Sequence, residues 1–392
     1  MNKLKVAVTG CGLGDFVYNS IDFSSEAFQK YRSHQSGDGG LEPGKLVFTQ
    51  ELEAFAQKPF KQILEEIAGE RRFDAFNIGG PALVSAINCT QLLVHTDAEV
   101  RYYGARANDE KGKTIAALLQ KLPLNLKNYS VLDGETPYTD VLSDPNFANG
   151  KGERTFINNM ACAAQFGSDF LDDDFWNSDI VVFGGTALVP KLHAALTELL
   201  AKAKQKGALT VVNTVYDFPS QKQQPEKPWA LGNTPESLPL IDVLIMDHEE
   251  ALRISGTQKL LDAVHFFKEN GSNAFIITQG AESTYLYSSG TVFAAIETTL
   301  PVCSWIATDF ANDVRLKGDT TGCGDNFVGA VLASIVQQLL AKKEILSLKD
   351  AAILGTVSGG FACYYVGGTY YENYMGEKLE KINGMLQRYT HF

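Results

Sequence analysis

The chain is sparing with cysteine, with positive charge and with long apolar runs. Six cysteines (Cys11, Cys89, Cys162, Cys303, Cys323 and Cys363) are scattered over 392 residues without a C-x-x-C pair. That spacing argues against a disulfide framework and against structural zinc. The six histidines, at 34, 95, 193, 248, 265 and 391, show no metal-ligand spacing. Lys and Arg number 34 against 46 Asp and Glu, a net charge of −12, so the global basic footprint of a nucleic-acid binder is missing. No stretch approaches the ~18 apolar residues of a membrane span, and Met1–Gly10 lacks the apolar core of a secretory leader. No G-x-x-x-x-G-K-[ST] string occurs, which excludes a Walker-type phosphate loop. Neither nucleic acid nor membrane is an expected partner, and a reducing cytoplasm is the expected compartment.

What the chain does have is alternation. Short β-branched or apolar runs at Lys5–Thr9, Glu99–Gly104, Asp179–Gly184, Leu209–Asn213, Val243–Met246 and Ala274–Thr278 are separated by helical patterns at Leu83–Leu93, Gly112–Lys121, Lys191–Lys206 and Leu260–Asn270. Strands alternating with helices imply βαβ units and a mostly parallel sheet flanked by helices. In such open α/β sheets ligands bind beyond the carboxyl ends of the strands. Two segments interrupt the pattern. Asp22–Lys58 is long and rich in Gly, Ser and charge; it suits either a lid or a surface insertion. Thr136–Ile157 reads as two extended pieces joined by the polar turn DPNFANGK, a hairpin. The expectation is one α/β domain over 1–392, with a small β lid drawn from 16–58 and 136–157. The five-proline stretch Phe218–Leu240 reads as an irregular surface excursion.

The chemistry is concentrated in Lys317–Leu340. From Phe327 onward apolar residues fall at 327/331/335/339 and 328/332/336/340, the double stripe of a buried helix. Ahead of it stands Thr320-Thr321-Gly322-Cys323-Gly324-Asp325. Glycines before a helix allow a tight turn and leave N–H groups without intrahelical partners, a ready anion site. A carboxylate there is either an N-cap or the base that takes a proton from an attacking hydroxyl. Phosphoryl transfer needs that pairing of donors with one carboxylate.

The string DTTGCGDNFVGA (Asp319–Ala330) resembles the signature of the ribokinase-like (PfkB) carbohydrate kinases, with Cys323 in the slot usually held by alanine. Other stretches are similar to family motifs in the same order. VTGCGLGDFVYN (Val8–Asn19) resembles the N-terminal strand whose aspartate, here Asp15, holds substrate hydroxyls. NIGGPALVSAI (Asn77–Ile87) looks like the di-glycine substrate motif at Gly79 and Gly80, with Val84 where an asparagine is usual. YYGARANDEKGKTIAALL, with Asn108 at a usual glycine, and the lid strand GERTFI follow. DHEEA stands for the N-x-x-E motif, and TQGAEST for the nucleotide-side turn. The resemblance implies a ribokinase-like fold with a small β lid, ATP and Mg²⁺, and a sugar as acceptor. It gives Asp325 as base and Gly322, Cys323 and Gly324 as anion hole. Thr278, Gln279, Gly280 and Asn213 fall on the nucleotide side, and Glu250 near magnesium. By analogy it also allows a monovalent cation such as K⁺ and a homodimer through the lid. Asn213-Thr214-Val215-Tyr216, at the place of a D-x-N-x-R strand end, is slightly closer to nucleoside-kinase relatives. Nucleosides therefore stand beside sugars as acceptors, and a non-catalytic sugar- or nucleotide-binding regulator on the same scaffold is the rival from another class. Arg154 reads as a substrate contact or a solvated lid charge.

Overall fold

The computed structural model describes residues 3–35, 37–150 and 152–390; His391 and Lys151, the last residue of the expected turn, lie outside them. In chain order the strands are β1 (Leu4–Gly10), β2 (Leu13–Tyr18), β3 (Leu46–Phe48), β4 (Ala75–Gly79), β5 (Ala98–Arg106), β6 (Tyr129–Val131), β7 (Tyr138–Asp144), β8 (Glu153–Asn159), β9 (Ile180–Gly184), β10 (Leu209–Asn213), β11 (Val243–Asp247), β12 (Ala274–Thr278), β13 (Ser283–Ser288) and β14 (Ile296–Pro301). Nine of them form a large sheet in the order β14-β13-β12-β11-β10-β9-β1-β5-β6. Its neighbours are parallel from β12 to β6, and β13 and β14 add an antiparallel edge. Parallel register brings Gly10 beside Gly184, Gly184 beside Asn213, and Asp247 beside Thr278, so these residues share one edge.

Strands buried on both faces need two layers of cover. One face packs under the helices Pro81–Leu92, Cys323–Leu340 and Leu348–Ala362, the other under Leu196–Gln205, His248–Ser255 and Leu260–Glu269. The helix Cys323–Leu340, here called the signature helix, carries the anticipated double stripe. Phe327, Val328, Val331, Leu332, Ile335 and Val336 are at most 5% exposed, whereas Leu340 reaches 36%. By length and composition this helix could cross a membrane, which corrects the expectation that no stretch approaches a span. It lies instead in the protein core, against Pro81–Leu92 and Leu348–Ala362. The expected helix Lys191–Lys206 is two helices, Pro190–Ala194 and Leu196–Gln205. The five-proline stretch is not a free excursion: it opens with the helix Phe218–Gln223 and buries Trp229, Leu231 and Leu238.

The remaining five strands form a small sheet, β3-β8-β7-β2-β4. β7 and β8 are the antiparallel hairpin. β2 begins at Leu13 and β4 occupies 75–79, both reaching outside the segments expected to build it. One face carries Phe16, Tyr18, Val47, Tyr138, Leu142 and Ile157, covered by Phe28, Leu52, Phe60 and Ile63 from three helices of the chain's own 26–68 region. Alternation along the strands sends Asp15, Thr139, Arg154 and Phe156 to the opposite face, toward the large sheet.

Candidate active site

The signature turn is built around Asp319. Its Oδ1 accepts from the N–H groups of Thr321 (3.0 Å) and Gly367 (3.2 Å). Its Oδ2 accepts from Arg154 of β8 at 2.9 Å, and the same guanidinium donates to the Thr321 hydroxyl at 2.7 Å. Arg154 is therefore an ion-paired link between the small sheet and the turn, neither free nor simply solvated. Gly322 caps the signature helix in the left-handed region, φ 73°. A Cβ there would lie 2.5 Å from Gly368 Cα, so both conformation and space demand glycine. At Gly324 a Cβ would meet nothing within 4 Å; the turn is open on that side. The first helical N–H groups, those of Cys323, Gly324 and Asp325, have no intrahelical acceptors.

Behind the turn, Asn326 is completely buried and fully engaged. Its amide donates to Gly322 O and Gly368 O at 2.8 Å each, and its Oδ1 accepts from Lys378 Nζ at 2.7 Å. Lys378, from the C-terminal helix Glu377–Thr390, is itself 1% exposed; burial pushes its amine down to about 7.

Two carboxylates face the site. Solvent reaches both Asp325 and Asp15, but protein walls enclose them. Burial pushes Asp325 up to about 6. Burial also pushes Asp15 up to about 7; the Thr139 hydroxyl and Arg154 oppose that rise, while the charges of Asp325 and Asp319 add to it. Asp15 lies on the strand that follows β1. It sits inside β2, paired with Asn77 and Thr139, because Cys11 and Gly12 alone carry the chain from one sheet to the other. Gly79 has a clear local reason: a Cβ there would lie 2.3 Å from Asp15 Oδ2. Gly80 is the N-cap of Pro81–Leu92. Val84 is 1% exposed and offers no polar contact.

Glu250 is buried in a capping box with Asp247. Its Oε2 accepts from Asp247 N–H (2.9 Å) and from the Thr214 hydroxyl (2.6 Å). Burial and the Asp247 charge push it up to about 7, with a smaller push from Asp325. Thus Asp15, Asp325 and Glu250 share one electrostatic neighbourhood. Asn213 ends β10, between β9 and β11 and next to Thr214, whereas Thr278, Gln279 and Gly280 lie farther along the large sheet's edge; no hydrogen bond joins the four to that group among the described residues. Gln279 turns its amide back to Ser283 (2.8 Å). Asn213 Oδ1 is buried without a hydrogen-bond partner among the described residues, an acceptor suited to a ligand hydroxyl or amine.

Sequence reading missed the structural parts of this site. Asp319 stands in the signature yet holds the turn rather than facing a ligand. Asn326 and Lys378 act from beneath, and nothing local in the sequence marks a lysine in a charged C-terminal helix as buried. Among curated proteins the sequence finds no match. Solved structures resemble the chain closely in shape and weakly in sequence. Adenosine kinase from Sinorhizobium meliloti superposes with a TM-score of 0.68 at 15% identity, covering 98% of this chain and 99% of that one. Ribokinase from Thermotoga maritima gives 0.61 at 16%, covering 98% and 99%. Arabidopsis thaliana ribokinase complexed with ribose and ATP gives 0.62 at 15%, covering 99% of each. These likenesses establish a ribokinase-like α/β fold. A family model for pfkB family carbohydrate kinases matches residues 72–372, a span that includes the di-glycine strand, the capping box and the whole signature turn; the chain belongs to the pfkB family of carbohydrate kinases.

Proposed function

We propose that this kinase transfers the γ-phosphate of ATP to a hydroxyl of a sugar, with Asp325 as the base. The observation that carries the reading is the opening of the signature helix. There a left-handed glycine and N–H groups without intrahelical acceptors surround one carboxylate, held at about 6, opposite a second carboxylate on the small sheet. The acceptor sits between the sheets, its hydroxyls on Asp15, which as a carboxylate accepts two at once. The attacking hydroxyl gives its proton to Asp325. The N–H groups around Cys323 and Gly324 stabilise charge on the transferring phosphoryl, so positioning and electrostatics supply most of the rate. The nucleotide lies toward Asn213 and Thr278–Gly280.

No group of three His, Cys, Asp or Glu side chains able to hold a metal occurs among the described residues. Magnesium fits nonetheless, because it is usually carried by substrate phosphates and water with one or two carboxylates. Glu250 Oε1, outside its capping hydrogen bonds, would orient such water, and the ion would neutralise phosphate charge. A nucleoside acceptor is the second reading, favoured by Phe156, a half-buried ring on the same face as Asp15 that suits base stacking.

The test is ADP release over a panel of pentoses, hexoses, sugar phosphates and nucleosides. Turnover with one acceptor class is expected. Asp325→Asn should lower kcat by about 10²–10⁴ while ATP binding persists. Near wild-type kcat in that variant would remove Asp325 from the role of base.

A further inference from the structure

Cys323 has a neighbour that sequence spacing hides. Cys363, forty positions on, ends the helix Leu348–Ala362 beside the start of the signature helix. The two sulfurs lie 3.5 Å apart, in direct contact. Both are partly exposed, whereas the other four cysteines are buried. The helices behind them are locked. A Cβ on Gly359 would fall 2.9 Å from Cys323 O, and one on Gly355 would fall 3.0 Å from the Phe327 ring.

We propose that Cys323 and Cys363 form a redox pair: a hydroperoxide oxidises them to a disulfide that pulls on the anion-hole turn and halts phosphoryl transfer. The loss of transfer rests on the functional reading above; the disulfide does not.

The geometry orders the chemistry. The hydrogen bond shared with Cys323 favours a lowered Cys363, against burial and the Asp319 charge. The same hydrogen bond, with burial and the Asp319 and Asp325 charges, pushes Cys323 up. We take Cys363 as the attacking sulfur and Cys323 as the resolving one; the pair is set by their 3.5 Å separation, across which either sulfur could donate. Cys303, the third thiol nearby, is raised by burial and by Cys363 and stays a bystander. The Cys363 sulfur attacks the peroxide oxygen, the O–O bond breaks, and an alcohol or water leaves with a proton. Cys363 is then a sulfenic acid. Cys323 attacks its sulfur, the S–O bond breaks, and water departs. Two thiols have lost two electrons and two protons, and the peroxide has taken both. An S–S bond of about 2.05 Å must close a gap of 3.5 Å. Gly322 is packed against Gly368, so that movement falls on the first helical residues, Cys323 and Gly324, where a Cβ on Gly324 would meet nothing within 4 Å. A shift of about 1 Å in such a site can cost roughly 10²-fold in rate.

The test treats the full-length reduced protein with hydrogen peroxide, blocks free thiols and maps the peptides. A linked Cys323–Cys363 peptide pair is expected, with kcat down at least about tenfold and restored by dithiothreitol. Cys363→Ser should match untreated wild-type activity and keep it after peroxide, whereas Cys303→Ser should behave as wild type. Absence of the linked pair overturns the proposal. So does a linked protein that turns over as fast as the reduced one. Mapping needs no turnover, so a chain inactive even when reduced would count against the kinase reading and leave the disulfide decided by the peptides.

Discussion

At the scale of single residues, Asp325 and Asp15 ionise in sequence. Asp325 is held near 6 by burial, and its charge then helps keep Asp15 near 7. A base must be ionised to accept a proton, so kcat/KM for the acceptor should rise through pH 5–7 and level off above. Asp15→Asn should leave one acid limb, near 6, together with a raised acceptor KM. A profile flat across that range would show that neither carboxylate governs the reaction. Lys378 is a positioning residue. It touches no reacting atom, yet it donates to the Asn326 oxygen whose amide holds Gly322. In Lys378→Met the Asn326 acceptor is left buried and unpaired, at a cost of about 1–3 kcal/mol. The expected outcome is a lower kcat with an acceptor KM nearly unchanged, measured beside a modest fall in melting temperature. A fall in stability with kcat intact would make the lysine structural only.

Among elements, the β7–β8 hairpin is the one whose contact reaches across to the chemistry. Arg154 joins it to Asp319 and Thr321, a partly buried pair with exposures of 28% and 22%, so screening moderates its worth. Arg154→Ala should loosen the small sheet over the acceptor, raising KM several-fold and making it less sensitive to salt. Arg154→Lys should recover part of the loss, because a single nitrogen, Nη1, makes both bonds and an ammonium also carries several donors. Unchanged KM in the alanine variant would mean that this link does not close the site. The hairpin was legible in the sequence because two alternating runs flank a polar turn, and the signature helix because its stripes persist for four turns. β3 and β6 were not, since three residues carry no period. β4 was hidden because its residues AFNIG run into the di-glycine motif and show no alternation. Asp325 and Gly322 stand out by residue type and spacing, Gly79 only through the family resemblance. The partnership of Arg154 with Asp319, and of Cys323 with Cys363, depends on contacts between residues forty or more positions apart.

Over the whole molecule, buried carboxylates set an unusual pH response. Asp15, Asp140 and Glu250 are each pushed up to about 7, and Asp325 to about 6, with burial the first cause in every case. Between about 4 and 7 the folded state therefore binds more protons than the unfolded one, and stability falls as pH rises through that window. Lys378, pushed down to about 7, works in the next window, where stability recovers as pH climbs toward its ordinary 10.5. Asp140 lies on the covered face of the small sheet, 2% exposed and away from the site. Asp140→Asn should flatten the decline between 4 and 7, seen as a gain in melting temperature at pH 7.5 that vanishes near pH 4.5. An equal gain at both would refute the assignment. Finally, the order in which the chain is made matters for its layers. β1, β5, β9 and β10 are synthesised well before residue 323, yet one face of the sheet they join is completed only by Cys323–Leu340 and Leu348–Ala362. At roughly 5–20 residues per second, that apolar face waits about 6–30 seconds on the ribosome with only Pro81–Leu92 over it. The chain thus closes its core only when the signature turn and the two helices that follow it emerge.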